Sequence, residues 1–151
     1  MRIALGADHA GYPLKTAVAK HLTGLGHEIM DLGTDSEASV DYPAFCAATG
    51  RAVVAGEAEL GMVFGGSGQG EQIAANKVHG VRAALCFNEF TARLARQHND
   101  ANVLALGARV LGEELAVSVV DAFLEAEFEG GRHARRVGQI AEIEEEECAR
   151  T

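Results

Sequence analysis

Short apolar runs alternate with longer amphipathic stretches along almost the whole chain. Residues Arg2 to Ala7 form an apolar run bounded by polar turn residues, which is typical of a buried strand. The stretch from Tyr12 to Leu25 spaces its apolar residues three or four positions apart and ends among glycines, as an amphipathic helix does. Because this alternation continues along the chain, the sequence predicts a parallel sheet covered by helices on both faces.

The remaining predicted elements follow the same pattern. The further strands are 28–32, 60–64, 81–86 and 102–106, and the further helices are 43–56, 69–77, 88–98, 112–128 and 132–147. The last helix is polar and is expected to lie partly outside the core. About residues 142–151 form an acidic tail, which is either a solvated helix end or a frayed terminus. No repeat or low-complexity linker interrupts the pattern, so we expect a single domain over residues 1–151.

Composition and charge narrow the class of partner. The net charge of -9 and an aromatic content of 5% disfavour nucleic-acid binding. No apolar run approaches the roughly 18 residues that span a bilayer. The three cysteines form no C-x-x-C pair, and the predicted first strand leaves no room for a signal peptide. We therefore expect a cytoplasmic protein with reduced thiols that binds neither nucleic acid nor membranes.

Polar groups follow four of the predicted strands at their carboxyl ends, where open α/β sheets bind ligands. These groups are Asp8-His9, the loop 65–71, Asn88-Glu89 and Arg109. The loop reads GGSGQGE, and its glycines would let backbone N–H groups approach an anion at a helix N-terminus. It has neither the P-loop ending nor G-x-G-x-x-G spacing, so the nucleotide interpretation is weak. From spacing alone, a plain strand-to-helix turn with Ser67 as N-cap fits equally well.

Histidines and arginines offer further candidate chemistry. None of the six histidines is paired at metal-ligand spacing, so no metal or other cofactor is expected. His9 and His98 lie at element ends that we expect near the site, with either a functional or a solvated role. Arg132 and Arg136 would face the same way on a helix and could grip one phosphate, unless they pair with the acidic tail.

Six ordered segments together resemble the ribose-5-phosphate isomerase B family, which includes related galactose- and allose-6-phosphate isomerases. The segments are Gly6 to Gly11, Asp41 to Pro43, Gly65 to Lys77, Arg96 to Asp100, Leu106 to Arg109 and Gly130 to His133. The resemblance spans residues 2 to about 143. It implies a Rossmann-like three-layer αβα fold with a five-stranded parallel sheet and a C-terminal helix that extends to a partner subunit. It also implies a homodimer, or a dimer of dimers, with shared active sites.

The resemblance implies roles for individual residues. The catalytic positions would be Glu71 as the base, His98 as the ring-opening group and Ser67, which would orient a sugar oxygen. The substrate-binding positions would be Asp8, His9, Gly66, Gly68, Gln69, Gly70, Asn99, Arg109, Arg132 and Arg136, with the arginines as the phosphate clamp. Many members carry a catalytic cysteine where this chain has Gly65. This chain resembles a branch, known from actinobacteria, that has this glycine and uses the glutamate as base, so Cys46 and Cys86 are not expected to substitute.

The expected function is the interconversion of ribose 5-phosphate and ribulose 5-phosphate, with a proton moved through an enediolate and no cofactor. Another sugar phosphate stays open as substrate, either a tetrose phosphate or galactose or allose 6-phosphate, as does a role as one subunit of a hetero-oligomeric isomerase. A non-enzymatic phosphate- or nucleotide-binding module is the less favoured alternative. A helix N-terminus lowers the pKa of a carboxyl group and burial raises it, and the sequence leaves open which effect prevails at Glu71.

Overall fold

The computed structural model of the chain describes residues 1–150. Across these residues it has five strands and six helices, in the order predicted from the sequence pattern. In chain order they are β1 (Arg2–Ala7), α1 (Tyr12–Gly24), β2 (Glu28–Asp31), α2 (Tyr42–Val54), β3 (Leu60–Gly65), α3 (Gln69–Ala75), β4 (Ala83–Leu85), α4 (Glu89–Asn99), β5 (Val103–Gly107), α5 (Glu113–Glu125) and α6 (Arg132–Cys148). The strands form one sheet in the order β2-β1-β3-β5-β4, and every pairing is parallel.

Alternate residues of the central strand β3 pack on opposite faces of the sheet. Met62 and Phe64 belong to a core cluster that also contains buried residues of α1, α4 and α5. Val63, between them, belongs to a second cluster with buried residues of α2 and α3. The sheet is therefore the middle of three layers, which confirms the predicted αβα fold class.

Strand β4, at the edge of the sheet, spans only Ala83–Leu85 of the predicted run 81–86, and side chains bond the backbone at and just before its first residue. Asn76 donates to the carbonyl of Ala83 at 3.0 Å and accepts from the N–H of Ala83 at 2.7 Å. The N–H of Arg82 donates to Oδ1 of Asn102 at 2.7 Å. The side chain of Asn76 thus takes the place that a neighbouring strand would occupy at Ala83.

Helix α6 packs against α4 and runs past the sheet edge. Its acidic stretch 144–147 is helical, which decides between the two expectations for that segment, although Thr151 lies outside the described residues. Glu144 accepts from the N–H of Gly80 at 3.0 Å and ties the helix to the chain just before β4. Ile140 and Ile143 are exposed on α6. No helix within residues 1–150 combines the length and the apolar character needed to cross a bilayer.

Candidate functional site

The predicted site residues fall into two groups at opposite edges of the sheet. The carboxyl-edge cluster contains Asp8, His9, the loop 65–71 and Arg109, which follow β1, β3 and β5. The amino-edge cluster contains the predicted residues His98, Asn99, Arg132 and Arg136 at the end of α4 and the start of α6, and beside them Glu129 and His133, which were not predicted.

The two clusters are separated because each helix runs back along the sheet after its strand. Helix α4 begins beyond the carboxyl end of β4 and ends at Asn99, just before β5 starts at Val103. A strand of five or six residues is about 17–20 Å long, so the clusters of one chain are separated by about that length. His98 therefore lies away from the glycine loop of its own chain.

The glycine loop is held against β5 by backbone hydrogen bonds. The N–H of Ala108 donates to the carbonyl of Gly65 at 2.8 Å, and the N–H of Arg109 donates to the carbonyl of Gly66 at 2.9 Å. A Cβ on Gly66 would lie only 3.1 Å from Nη1 of Arg109, so the guanidinium borders the loop. The structure thus brings the loop and Arg109 together at the carboxyl edge, as the sequence predicted.

The cap of α3 differs from the prediction. Gly68, with a left-handed φ of 79°, is the N-cap residue, and no side chain caps the helix there. Ser67 instead accepts from the N–H of Gln69 at 3.3 Å and stays exposed in the loop. A hydroxyl that does not cap the helix remains available to a ligand.

The Glu71 side chain folds back onto Gly65 and is only 4% exposed. A Cβ on Gly65 would collide with the Glu71 carboxylate, so the missing side chain at 65 makes room for this carboxyl group. Burial raises the pKa of Glu71, and the nearby charge of Asp8 acts in the same direction. The backbone N–H groups of Glu71 and Gly68 oppose the shift but do not cancel it. Burial therefore prevails over the helix terminus, a question that the sequence left open.

Two thiols lie in the interior of the protein. Cys46, buried on α2, has its pKa raised to about 12 by burial and, to a lesser degree, by the charges of Glu71 and Asp8. Burial raises the pKa of Cys86 to about 11, against a hydrogen bond with Thr91. Both thiols are therefore protonated near neutral pH and are poor bases.

Two aromatic side chains, His9 and Tyr42, join the carboxyl-edge cluster to the start of α2 and the residues just before it. Nδ1 of His9 lies 3.2 Å from both the N–H and the carbonyl of Val40. The ring of Tyr42 packs on the glycine loop, since a Cβ on Gly70 would collide with it. We did not assign Tyr42 to the site from the sequence, although it lies within the segment Asp41 to Pro43 that carried part of the family resemblance.

The amino-edge cluster is centred on two stacked imidazoles. The rings of His98 and His133 have centroids 4.1 Å apart and are inclined by 7°. Oε2 of Glu129 lies 4.0 Å from Nε2 of His98 and 3.5 Å from Nε2 of His133. Burial lowers the pKa of His133, and His98 and Arg132 act in the same direction, against Glu129. This group of three residues was not predicted from the sequence. The i, i+4 spacing of Glu129 and His133 was a signal for the contact between those two, but not for the stacking of His98 on His133.

Arg132 and Arg136 are exposed at the start of α6, one turn apart. Within residues 1–150 neither guanidinium forms an ion pair, so the pairing with the acidic tail that the sequence allowed is not formed. Two unpaired cations on one helical face can bind one phosphate group.

These features define a Rossmann-like α/β protein with a buried carboxyl group at one edge of its sheet and two stacked imidazoles beside exposed guanidinium groups at the other. Residues 3–140 match the model of the Ribose/Galactose Isomerase family, and the chain belongs to this family. It is 48% identical to ribose-5-phosphate isomerase B of Escherichia coli strain K12 over 95% of the chain and 97% of that relative.

Solved structures agree with this assignment. The structure of Clostridium thermocellum ribose-5-phosphate isomerase B superposes with a TM-score of 0.96 at 53% identity, over 97% of this chain and 99% of that one. Ribose-5-phosphate isomerase B from Mycoplasma genitalium, solved with bound ribulose 5-phosphate, has a TM-score of 0.91 at 42% identity, over 96% and 97% of the two chains.

Proposed function

We propose that this protein interconverts ribose 5-phosphate and ribulose 5-phosphate, the activity for which its relatives are named. The observation that carries the proposal is the buried Glu71 carboxylate beside the glycine loop, in a chain similar along nearly its whole length to an isomerase solved with ribulose 5-phosphate. Aldose–ketose isomerisation moves a proton between adjacent carbons, and it needs a base together with donors for the developing oxyanion.

In this proposal Glu71 is the base, as in the glutamate branch of the family. Its raised pKa makes the carboxylate a stronger proton acceptor than an exposed glutamate, which suits abstraction of a carbon-bound proton. Gly65 has no side chain to compete for the position, and Cys46 is buried and protonated near neutral pH. A thiol base is therefore disfavoured on both counts.

The loop 66–70 is proposed to stabilise the enediolate. Its backbone N–H groups surround the N-terminus of α3, where negative charge is favoured. Ser67, whose hydroxyl does not cap the helix, would orient a sugar oxygen. Asp8 is held by the N–H of Gly11 at 2.9 Å, and with His9 it would contact the sugar.

Four residues at the amino edge of a partner subunit would bind the phosphate and act on the ring oxygen. Arg132 and Arg136 would clamp the phosphate with Arg109, and His98 with Asn99 would assist ring opening. Because His98 and Glu71 of one chain lie at opposite edges of the sheet, a complete site requires two chains. The proposal therefore includes a homodimer, alone or within a dimer of dimers, whose active sites are shared.

A groove beside α6 supports this assembly. It has a volume of about 590 Å³ and lies between α6 and the edge strand β4, with Val81, Ala84, Val137 and Ile140 in its wall. Apolar side chains along an exposed helix and a sheet edge are typical of a surface that another subunit covers. We therefore propose that α6 and this groove form the contact with the second subunit.

The experiment that tests the function is turnover of ribose 5-phosphate by the purified protein, followed by the appearance of ketose. Parallel assays with erythrose 4-phosphate, galactose 6-phosphate and allose 6-phosphate compare kcat/KM among the alternatives. We expect the highest kcat/KM for ribose 5-phosphate. No turnover of any of these substrates would exclude a self-sufficient isomerase and favour a binding module or a hetero-oligomer.

Two coarser expectations accompany this proposal. Residues 1–151 would form a single isomerase domain, and the protein would act in the cytoplasm. The buried Cys46 and Cys86 thiols, which form no disulfide, are consistent with a reducing compartment.

A further inference from the structure

The amino-edge cluster brings together three groups that commonly bind transition metals. The ligand atoms of His98, Glu129 and His133 all lie within 4.8 Å of one another. Imidazole nitrogen and carboxylate oxygen are preferred zinc ligands, with bonds of about 2.0–2.2 Å. Ligand atoms around one tetrahedral ion would then lie about 3.3 Å apart. The distance of 3.5 Å between His133 and Glu129 is close to this value, and that of 4.0 Å between His98 and Glu129 needs only a small closure.

A buried polar atom in this cluster has no hydrogen-bond partner of its own. Nε2 of His133 is buried, in a residue only 7% exposed, and makes no hydrogen bond to any group of residues 1–150. A buried nitrogen without a partner costs free energy, so such an atom calls for an explanation. It faces Glu129 and the stacked ring of His98, which is where a shared ion would sit.

The backbone holds the three groups in place. The N–H of Glu129 donates to the carbonyl of Gln97 at 3.0 Å, which fixes the segment before α6 against the end of α4. Gly130 and Gly131 then adopt positive φ angles of 66° and 57°, so the chain turns sharply into α6. This turn places Glu129 and His133 side by side. Because the rings of His98 and His133 lie within 7° of parallel, they must tilt towards each other before their lone pairs can meet at one ion.

We propose that His98, Glu129 and His133 bind a Zn²⁺ ion, and that the bound ion inhibits the enzyme by occupying the imidazole of His98. The inhibitory part rests on the proposed function, in which His98 assists ring opening in a partner's site. Three protein ligands leave a fourth position open, so the ion exchanges and the inhibition is reversible. The nearby charges of Arg132 and Arg136 repel a cation, and we therefore expect weaker binding than at a structural zinc site.

Binding is tested without reference to activity. Isothermal titration of the chelator-treated protein with ZnCl₂ should show one ion per chain, and Co²⁺ should give the visible absorption of a tetrahedral nitrogen–oxygen site. Glu129→Gln and His133→Gln should each weaken binding by at least about tenfold, a loss typical even of groups that only support a metal ligand. His21→Gln is the matched control, because His21 lies 2.7 Å from Asp121 without a third ligand and outside the groove beside α6, and it should bind like the wild type.

Inhibition is then measured with ribose 5-phosphate. Added Zn²⁺ should lower wild-type and His21→Gln activity with a midpoint near the calorimetric Kd, and EDTA should restore it. The exposed Glu129→Gln variant, checked for folding by circular dichroism, should resist the same concentrations. Binding unchanged in both ligand variants would overturn the site, and saturating Zn²⁺ without loss of activity would overturn the inhibition. If the wild type lacks isomerase activity, the proposed function fails, whereas calorimetry still decides whether the site exists.

Discussion

Two inactive variants of this protein should restore each other when they share a dimer. Glu71→Gln removes the proposed base at the carboxyl edge, and His98→Asn removes the proposed ring-opening group at the amino edge. Because these residues lie at opposite edges of the sheet in one chain, each complete site takes Glu71 from one subunit and His98 from the other. A mixed dimer then contains one site with both substitutions and one site with neither.

The expected recovery follows from counting sites. Random pairing of equal amounts of the two variants gives about half mixed dimers, and half of the sites in those dimers are intact. About one quarter of the sites should therefore be active, with the KM of the wild type. Each variant alone should lose at least about 10²-fold in kcat, the usual lower figure for general acid–base catalysis.

The assay compares co-expressed, differently tagged variants, purified through both tags, with each homodimer alone. Double-tag purification selects mixed dimers, so their recovery should rise to about half of the wild-type rate. A mixture of the finished homodimers that cannot exchange subunits is the control and should stay inactive. Mixed dimers as inactive as the parent proteins would show that both groups act within one chain. The proposal that each site combines residues of two subunits would then be wrong.

The remaining predictions concern single chemical groups. Near pH 8, Glu71→Gln should have a Tm at least as high as that of the wild type. Burial raises the pKa of Glu71, so its ionisation costs the wild type stability as pH rises. The difference in Tm between the two proteins should shrink towards about pH 4, where the glutamate is neutral. For the same reason wild-type kcat/KM should fall as pH drops through that raised pKa, and a profile flat down to about pH 4 would contradict a carboxylate base. Cys46→Ser should keep a near-wild-type kcat once folding is confirmed, whereas a folded but inactive variant would return the thiol to consideration. Arg136→Ala should lower kcat/KM for ribose 5-phosphate at least about 30-fold, equivalent to about 2 kcal/mol for one arm of a phosphate clamp, with Arg135→Ala as the matched control. EDTA should leave basal activity intact, and a loss restored by added metal would refute a metal-free reaction.

The order and type of the helices and strands could be predicted from the sequence because apolar spacing is a local property. Every predicted element is present, and the errors lie at element ends. Strand β4 begins after Arg82, whose N–H donates to the Asn102 side chain, and α5 ends at Glu125, before the turn at Gly130 and Gly131. Such ends depend on contacts between residues far apart in sequence, which apolar spacing does not report.

The candidate site residues come from the family resemblance, whereas their arrangement in space could not be predicted from it. The placement of His98 could have been predicted, since a helix between parallel strands must return to the amino edge of the sheet. The stacking of His98 on His133 depends on how α6 packs against α4, and no sequence spacing encodes it. The contact of Glu71 with Gly65 likewise depends on the turn at Gly68, which brings the side chain back over the strand end.

Gly65 and Glu71 fill one volume between them, and this shared space makes their substitutions epistatic. Any side chain introduced at 65 must displace the carboxylate at 71, so Gly65→Cys is costly while Glu71 is present. Loss of the carboxylate first would remove the proposed base before another could take its place. An evolutionary path between a glutamate and a cysteine at this strand end therefore crosses an impaired intermediate unless both positions change together.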